Sequence, residues 1–166
     1  MHRVLVVAAV FAGGGCKAIF GGAPVEESDS VAEAQAELVR TMFEDVWSTG
    51  DVTPLLGASA DSVLFHYRGT SSYTSVSGLE GLIQHWKSAF PDFRMELHDI
   101  VAGGDLVAAR VTYSGTHEGE WFGIPATGKQ VSVDEMMFFR FEDGRLVEMW
   151  EVDDQLTMRT QMGLLQ

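Results

Sequence analysis

Four side chains have the right chemistry for moving protons in a pocket: Asp154, Glu151, His66 and His117. A carboxyl in water loses its proton at about pH 4 and is then a weak base. In an apolar cavity the charged form is disfavoured, its pKa climbs toward neutrality, and it becomes an effective general base. A neutral acid or histidine beside it can return the proton. Each candidate also has a plainer reading. Asp154 stands where the chain turns helical at Gln155, and aspartate is a good helix N-cap. Glu151 follows Trp150 in a strand, so if Trp150 packs against a helix, alternation turns Glu151 the other way, into an interior or toward solvent. His66 lies between Phe65 and Tyr67, where a lone histidine is often a hydrogen-bonded core residue. His117 follows Gly115-Thr116 at a strand end and could simply fix a loop. His85 and His98 read as surface residues.

Other chemistries lack their residues. The histidines and acids have no regular ligand spacing such as His-Glu-x-x-His, so no metal site is expected. The single cysteine, Cys16, lies in the leader, no Gly-x-Ser-x-Gly occurs, and no glycine-rich loop leads into Lys-Ser/Thr.

The elements that must hold these side chains follow from periodicity. Ala32, Ala36, Val39, Met42, Phe43, Val46 and Trp47 share one helical face, and Gly50 stops the pattern. After a turn-rich stretch with Pro54 and Gly57, residues Ser62 to Tyr67 read as extended and the Ser/Thr-rich Gly69 to Ser77 as a loop. Leu79, Leu82, Ile83, Trp86 and Phe90 form a second amphipathic helix, closed by Pro91. Beyond it the period changes to that of strands, at Phe93 to Ala102, Leu106 to Thr116, Lys129 to Phe141 and Arg145 to Val152, with Leu156 to Leu164 as a short terminal helix. Helices followed by antiparallel strands predict an α+β domain whose sheet curls around the helices. Met136-Met137-Phe138-Phe139, flanked by Glu135 and Arg140, predicts a greasy wall that suits either an apolar ligand or an ordinary core.

The chain has 166 residues, 46% hydrophobic and 21% charged, enough for one domain with a real core. Setting aside Arg3 in the leader leaves 10 Lys+Arg of 11 against 24 Asp+Glu, a balance of −14. With no basic cluster, nucleic acid is excluded as a partner. Met1-His2-Arg3, the apolar run Val4 to Phe11 and Gly13-Gly14-Gly15 read as a secretory leader over 1–16, the run being too short for a lasting membrane span. Small residues leading into Cys16 resemble a bacterial lipobox, although Gly13 stands where leucine is usual. Residues 17–30 read as a flexible tether and 31–166 as the folded domain. The expected location is therefore outside the cytoplasm, anchored through a lipid on Cys16, with no other membrane contact.

The segment Gly115-Thr116-His117-Glu118-Gly119-Glu120-Trp121-Phe122-Gly123-Ile124-Pro125-Ala126-Thr127-Gly128-Lys129 resembles the loop between the two long strands of SnoaL-like polyketide and ester cyclases, in the nuclear-transport-factor-2-like superfamily. Arg140 to Trp150, Asp154, Gln161-Met162-Gly163, Trp47-Ser48-Thr49-Gly50-Asp51, the surroundings of His66, Gly78-Leu79-Glu80-Gly81 and Phe90-Pro91-Asp92 follow the same order and spacing, so the likeness spans Val31 to Gly163. It implies a cone-shaped α+β fold, often a homodimer, enclosing a pocket for a small apolar molecule. It also implies cofactor-free intramolecular aldol closure. Asp154 matches the aspartate that ends the family's Trp-x-x-x-Asp segment and is the first choice of base, with His66 or Glu151 assisting and His117 a further candidate. The expected pocket wall is Trp47, Tyr67, Trp86, Trp121, Phe122, Met137 and Phe139. The alternative is a non-catalytic exported lipoprotein that binds an apolar ligand or a protein partner in the same cone.

Overall fold

The computed structural model describes residues 25–165, with side chains from Asp29 onward. The leader, Cys16 and residues 17–24 of the expected tether lie outside the described residues.

Helix α1 (Val25–Thr41) continues through a π-helical turn, Met42–Val46, into a last α-helical turn, α2 (Trp47–Thr49). Gly50 ends it at φ +83°, a left-handed conformation that glycine adopts without strain. The helix begins at Val25, so the expected tether is shortened and the folded part starts six residues before Val31. Asp29, Ser30 and Val31 are exposed, and a helical stretch with no buried face leaves no apolar period to read. The π turn adds a residue to one turn of the ladder, and Met42, Phe43 and Val46 are all buried there.

Strand β1 (Ser59–Tyr67) turns at Arg68-Gly69 into β2 (Thr70–Thr74), both turn residues having positive φ. This tight hairpin replaces the loop expected over Gly69 to Ser77. Its residues, Thr-Ser-Ser-Tyr-Thr, are nearly all exposed on an edge strand, so the pattern carries no apolar alternation. Helix α3 (Val76–Ala89) starts at Ser75, whose hydroxyl accepts from the Gly78 amide. Four long strands follow: β3 (Arg94–Gly103), β4 (Leu106–Thr116), β5 (Gln130–Glu142) and β6 (Arg145–Asp153), then α4 (Gln155–Gln161).

The six strands form one sheet in the order β2-β1-β6-β5-β4-β3. All neighbours are antiparallel except β1 and β6, which run side by side in the same direction. Register shifts in the β1/β6, β3/β4 and β5/β6 pairs raise local twist and help the sheet curl. Alternation is strict along β5: Val131, Val133, Glu135, Met137, Phe139 and Phe141 are buried on the inner face. One apolar cluster joins α1 and the π turn to the middle of the sheet, with Phe139 edge-on to Phe43 at 5.9 Å. A second gathers Phe90, Phe93, Tyr113, Trp121 and Met158 at the other end.

The loop between β4 and β5 is pinned across the end of α3. The amides of Glu118 and Gly119 both donate to the Ala89 carbonyl at 2.9 Å. A Cβ on Gly119 would stand 2.2 Å from the Ser88 carbonyl oxygen, so only glycine allows this approach.

Candidate active site

A cavity of about 450 Å³ opens between the helices and the inner face of the sheet. Trp47, Tyr67, Trp86, Trp121, Phe122 and Met137 all line it. Phe139, expected among them, does not: it is fully buried against Phe43 in the core, four residues along the inner face from Glu135. Trp86 is the hub of the wall, with its ring 5.2 to 5.4 Å from those of Phe93, Tyr113 and Trp121. Phe122 sits at the rim in the tight turn Trp121 to Ile124, at φ +45°, with its ring 4.2 Å from the half-buried His85. His85 is therefore not the surface residue expected, whereas His98 is exposed and bonds Thr112 at 2.7 Å.

Three carboxyls come from neighbouring positions of two paired strands. Glu135 on β5 faces Asp153 on β6, and Met137 faces Glu151. Glu135 and Glu151 line the cavity, and neither has a hydrogen bond or an ion pair among the described residues. Glu135 is 4% exposed. Burial, reinforced by the charges of Glu151 and Asp153, raises its carboxyl well above the usual carboxylate range. Glu151 keeps some accessible surface on the cavity side. Burial and then the charge of Asp153 push it up to about 8. Asp153 has a different environment: the hydroxyls of Tyr67 and Tyr113 donate to it at 3.3 and 3.0 Å, and the Gln155 amide also donates to it. Burial and the neighbouring acids hold both phenols above their ordinary range, so they remain protonated donors. The arrangement places two carboxyls, both raised by burial and neighbouring charge, on the wall of an apolar chamber.

The other expected site residues lie elsewhere. Asp154 is exposed and caps α4, accepting from the Thr157 amide at 2.9 Å and the Thr157 hydroxyl at 2.7 Å. Those hydrogen bonds, the backbone one first, lower its carboxyl pKa. Of its two readings the structure gives the cap, and Asp154 is not part of the cavity wall. His66 is on the outer face of the sheet, held by Glu148 at 2.7 Å and Ser71 at 2.8 Å and stacked on Trp150. It cannot reach the chamber through its own strand. Trp150 does not pack against a helix: it lies between the His66 ring and the Arg140 guanidinium on that outer face. Alternation still turns Glu151 inward. His117 is fully buried, stacked on Phe90, and accepts at Nδ1 from the Thr127 amide at 3.3 Å. Its backbone binds Lys129 and Gly128, and burial pushes its imidazole pKa down, which suits a neutral loop anchor.

Glu135, Asp153 and Tyr113 are the site residues that reading the sequence missed. The signal was there: Val131-x-Val133-x-Glu135-x-Met137 puts an acid in the inward register, as does Met149-x-Glu151-x-Asp153.

The comparisons with known proteins bear on the fold and the family. AclR of Streptomyces galilaeus, a candidate hydroxylase, superimposes with a TM-score of 0.69 at 27% identity, over 81% of this chain and 99% of its own. IdmH of Streptomyces antibioticus, a candidate polyketide cyclase, gives 0.67 at 30% identity, over 78% and 98%. TsrD of Streptomyces laurentii gives 0.67 at 27%, over 82% and 97%. No curated protein matches by sequence. The fold is thus the nuclear-transport-factor-2-like cone, with a curved, unclosed sheet. Residues 37–162 match the family model described as SnoaL-like polyketide cyclase, and the chain belongs to that family.

Proposed function

We propose that the cavity carries out cofactor-free acid/base chemistry of the cyclase or isomerase type on an apolar molecule that bears carbonyl groups. The observation that carries this reading is the Glu135/Glu151 pair, one buried and one half-buried, which lines an apolar chamber with no side-chain hydrogen bond among the described residues. In a ring closure, the ionised Glu151 takes a proton alpha to one carbonyl. The enolate carbon then bonds to a second carbonyl carbon of the same molecule. The alkoxide that forms takes its proton from the neutral Glu135. Proton exchange between the two carboxyls resets the site, and no atom is gained or lost. Desolvation helps both partners, because it makes Glu151 a stronger base and keeps Glu135 protonated. Membership in a polyketide-cyclase family supports this reading over a purely binding role.

The direct test follows solvent deuterium into the α position of 2-acetylnaphthalene by NMR. We expect exchange above the buffer rate, abolished in Glu151→Gln. Binding with no exchange at any pH would overturn the reading in favour of a carrier.

We also propose that two copies pair through the outer face of the sheet. Met136 and Phe138 on β5 and Val152 on β6, the cross-strand partner of Met136, are 57%, 49% and 71% exposed and make an apolar outer surface. Arg110 with Asp99 and Arg140 with Asp105 and Glu148 give its margins both charge signs, which suits a self-complementary contact. Export, with a lipid on Cys16, remains part of the proposal on the strength of the leader alone.

A further inference from the structure

We propose that Arg68 and Arg159 bind an anionic group, a carboxylate, on the molecule that enters the cavity, so that the natural ligand is an apolar carbonyl compound with an acid at one end. This rests on the cavity being the reactive site and adds the class of molecule it takes.

Among the described residues Arg40, Arg110, Arg140 and Arg145 each hold a carboxylate at 2.7 to 3.5 Å. Arg68 and Arg159 line the cavity and have no ion pair or hydrogen bond there, although the chain carries 24 acidic residues. Arg94, the other described arginine without an ion pair, is exposed at the start of β3 and does not line the cavity. The topology explains how two arginines so far apart in sequence come to line one cavity. β1 and β6 are parallel neighbours, so their C-terminal ends share an edge. Arg68 immediately follows β1, and Arg159 lies in the helix that follows β6.

Arg68 is exposed, and one ring contact orients its guanidinium. It occupies a turn position at φ +54°, where asparagine or glycine is the usual choice, and its guanidinium lies over the Tyr67 ring at 5.5 Å. A strained backbone position occupied by a long charged residue, with the charge held against a cavity-lining ring, is an arrangement suited to a ligand. The arginines are not counter-ions of the buried acids. Neither forms an ion pair with Glu135 or Glu151 among the described residues. An acid held at this edge would leave the apolar body in the aromatic chamber and a carbonyl near Glu135 and Glu151. Arginine suits the task because its planar fork matches a carboxylate.

The test compares 6-acetyl-2-naphthoic acid with its methyl ester by isothermal titration at pH 7 on the full-length protein. We expect the acid to bind at least about tenfold more tightly than the ester, from one charge-assisted contact or more. That advantage should shrink with added salt, disappear in the Arg68→Gln/Arg159→Gln double variant, and persist partly in Arg159→Lys. A thermal melt matching that of the unsubstituted protein verifies that the double variant is folded. Equal binding of acid and ester, a preference that survives the double variant, or binding of neither would each overturn the inference. Deuterium exchange into neutral 2-acetylnaphthalene reports separately on the carboxyl chemistry, so the two failures can be told apart.

Discussion

The Tyr113 hydroxyl donates to Asp153 across 3.0 Å and so ties β4 to β6 over the intervening strand β5. The bond fixes Asp153 as an acceptor and leaves Glu135 and Glu151 as the carboxyls without donors. Tyr113→Phe should therefore cost about 1 kcal/mol of stability, since a part-buried acceptor loses one of its donors. Urea melts of the two proteins measure it; equal midpoints would mean the bond contributes nothing.

The Glu151 carboxyl sets opposite pH dependences for stability and for activity. Its folded-state pKa, about 8, lies above the ordinary value of 4.5. The unfolded chain therefore loses this proton first as pH rises, and the stabilisation present below pH 4.5 fades progressively until pH 8. Thermal melts should fall over that window and fall less in Glu151→Gln. Exchange at the α carbon should instead rise toward pH 8, because the ionised form is the base. Asp153→Asn removes a charge that raises Glu151, so the rate profile should move to lower pH.

Asp154→Ala should lower stability by about 1 kcal/mol, the usual effect of losing an N-cap, and leave deuterium exchange intact. Asp154→Asn should be nearly silent in both assays. Loss of exchange in Asp154→Asn with an unchanged melting curve would restore Asp154 as the base and remove Glu151 from that role.

Phe138→Asp should convert a dimer to a monomer in sedimentation velocity without altering the melt of the cavity side, since Phe138 faces outward. A species of unchanged mass would show that the outer sheet face is not the contact.

Cys16→Ser should release the full-length protein from the membrane fraction of a bacterial host into the soluble exported fraction. Continued membrane retention would sink the lipid-anchor proposal.

Much of the fold was legible because the elements have one clearly apolar face. The alternation of β4 and β5 and the helical stripe from Val39 to Trp47 place themselves. The β2 strand was hidden because Thr70 to Thr74 bury almost nothing, and the first turns of α1 for the same reason. At the site, the sequence pointed to Glu151 but ranked Asp154 above it. A helix cap and a base ask for the same residue type, and only hydrogen-bond geometry separates them. Glu135 went unnoticed as an acid beside a greasy run, because the run was read as one wall. In fact Met137 faces inward with Glu135, while Met136 and Phe138 face out. His66 shows the converse error: its type suited catalysis, but the pleat puts it on the wrong side of the sheet.

The parallel pairing of β1 with β6 also governs the order in which the chain can take shape. The hairpin β1–β2 reaches the rest of the sheet only through β6, the last strand to be synthesised. Until Arg145 to Asp153 emerge, the β1–β2 hairpin has no strand to pair with, and the Glu151 side of the chamber wall is missing. The hairpin must therefore join the sheet last, after α1 has β3 and β4 to pack on. Trimming the chain back past β6 should leave the hairpin unpaired with the sheet, however many of the cavity-lining residues it retained.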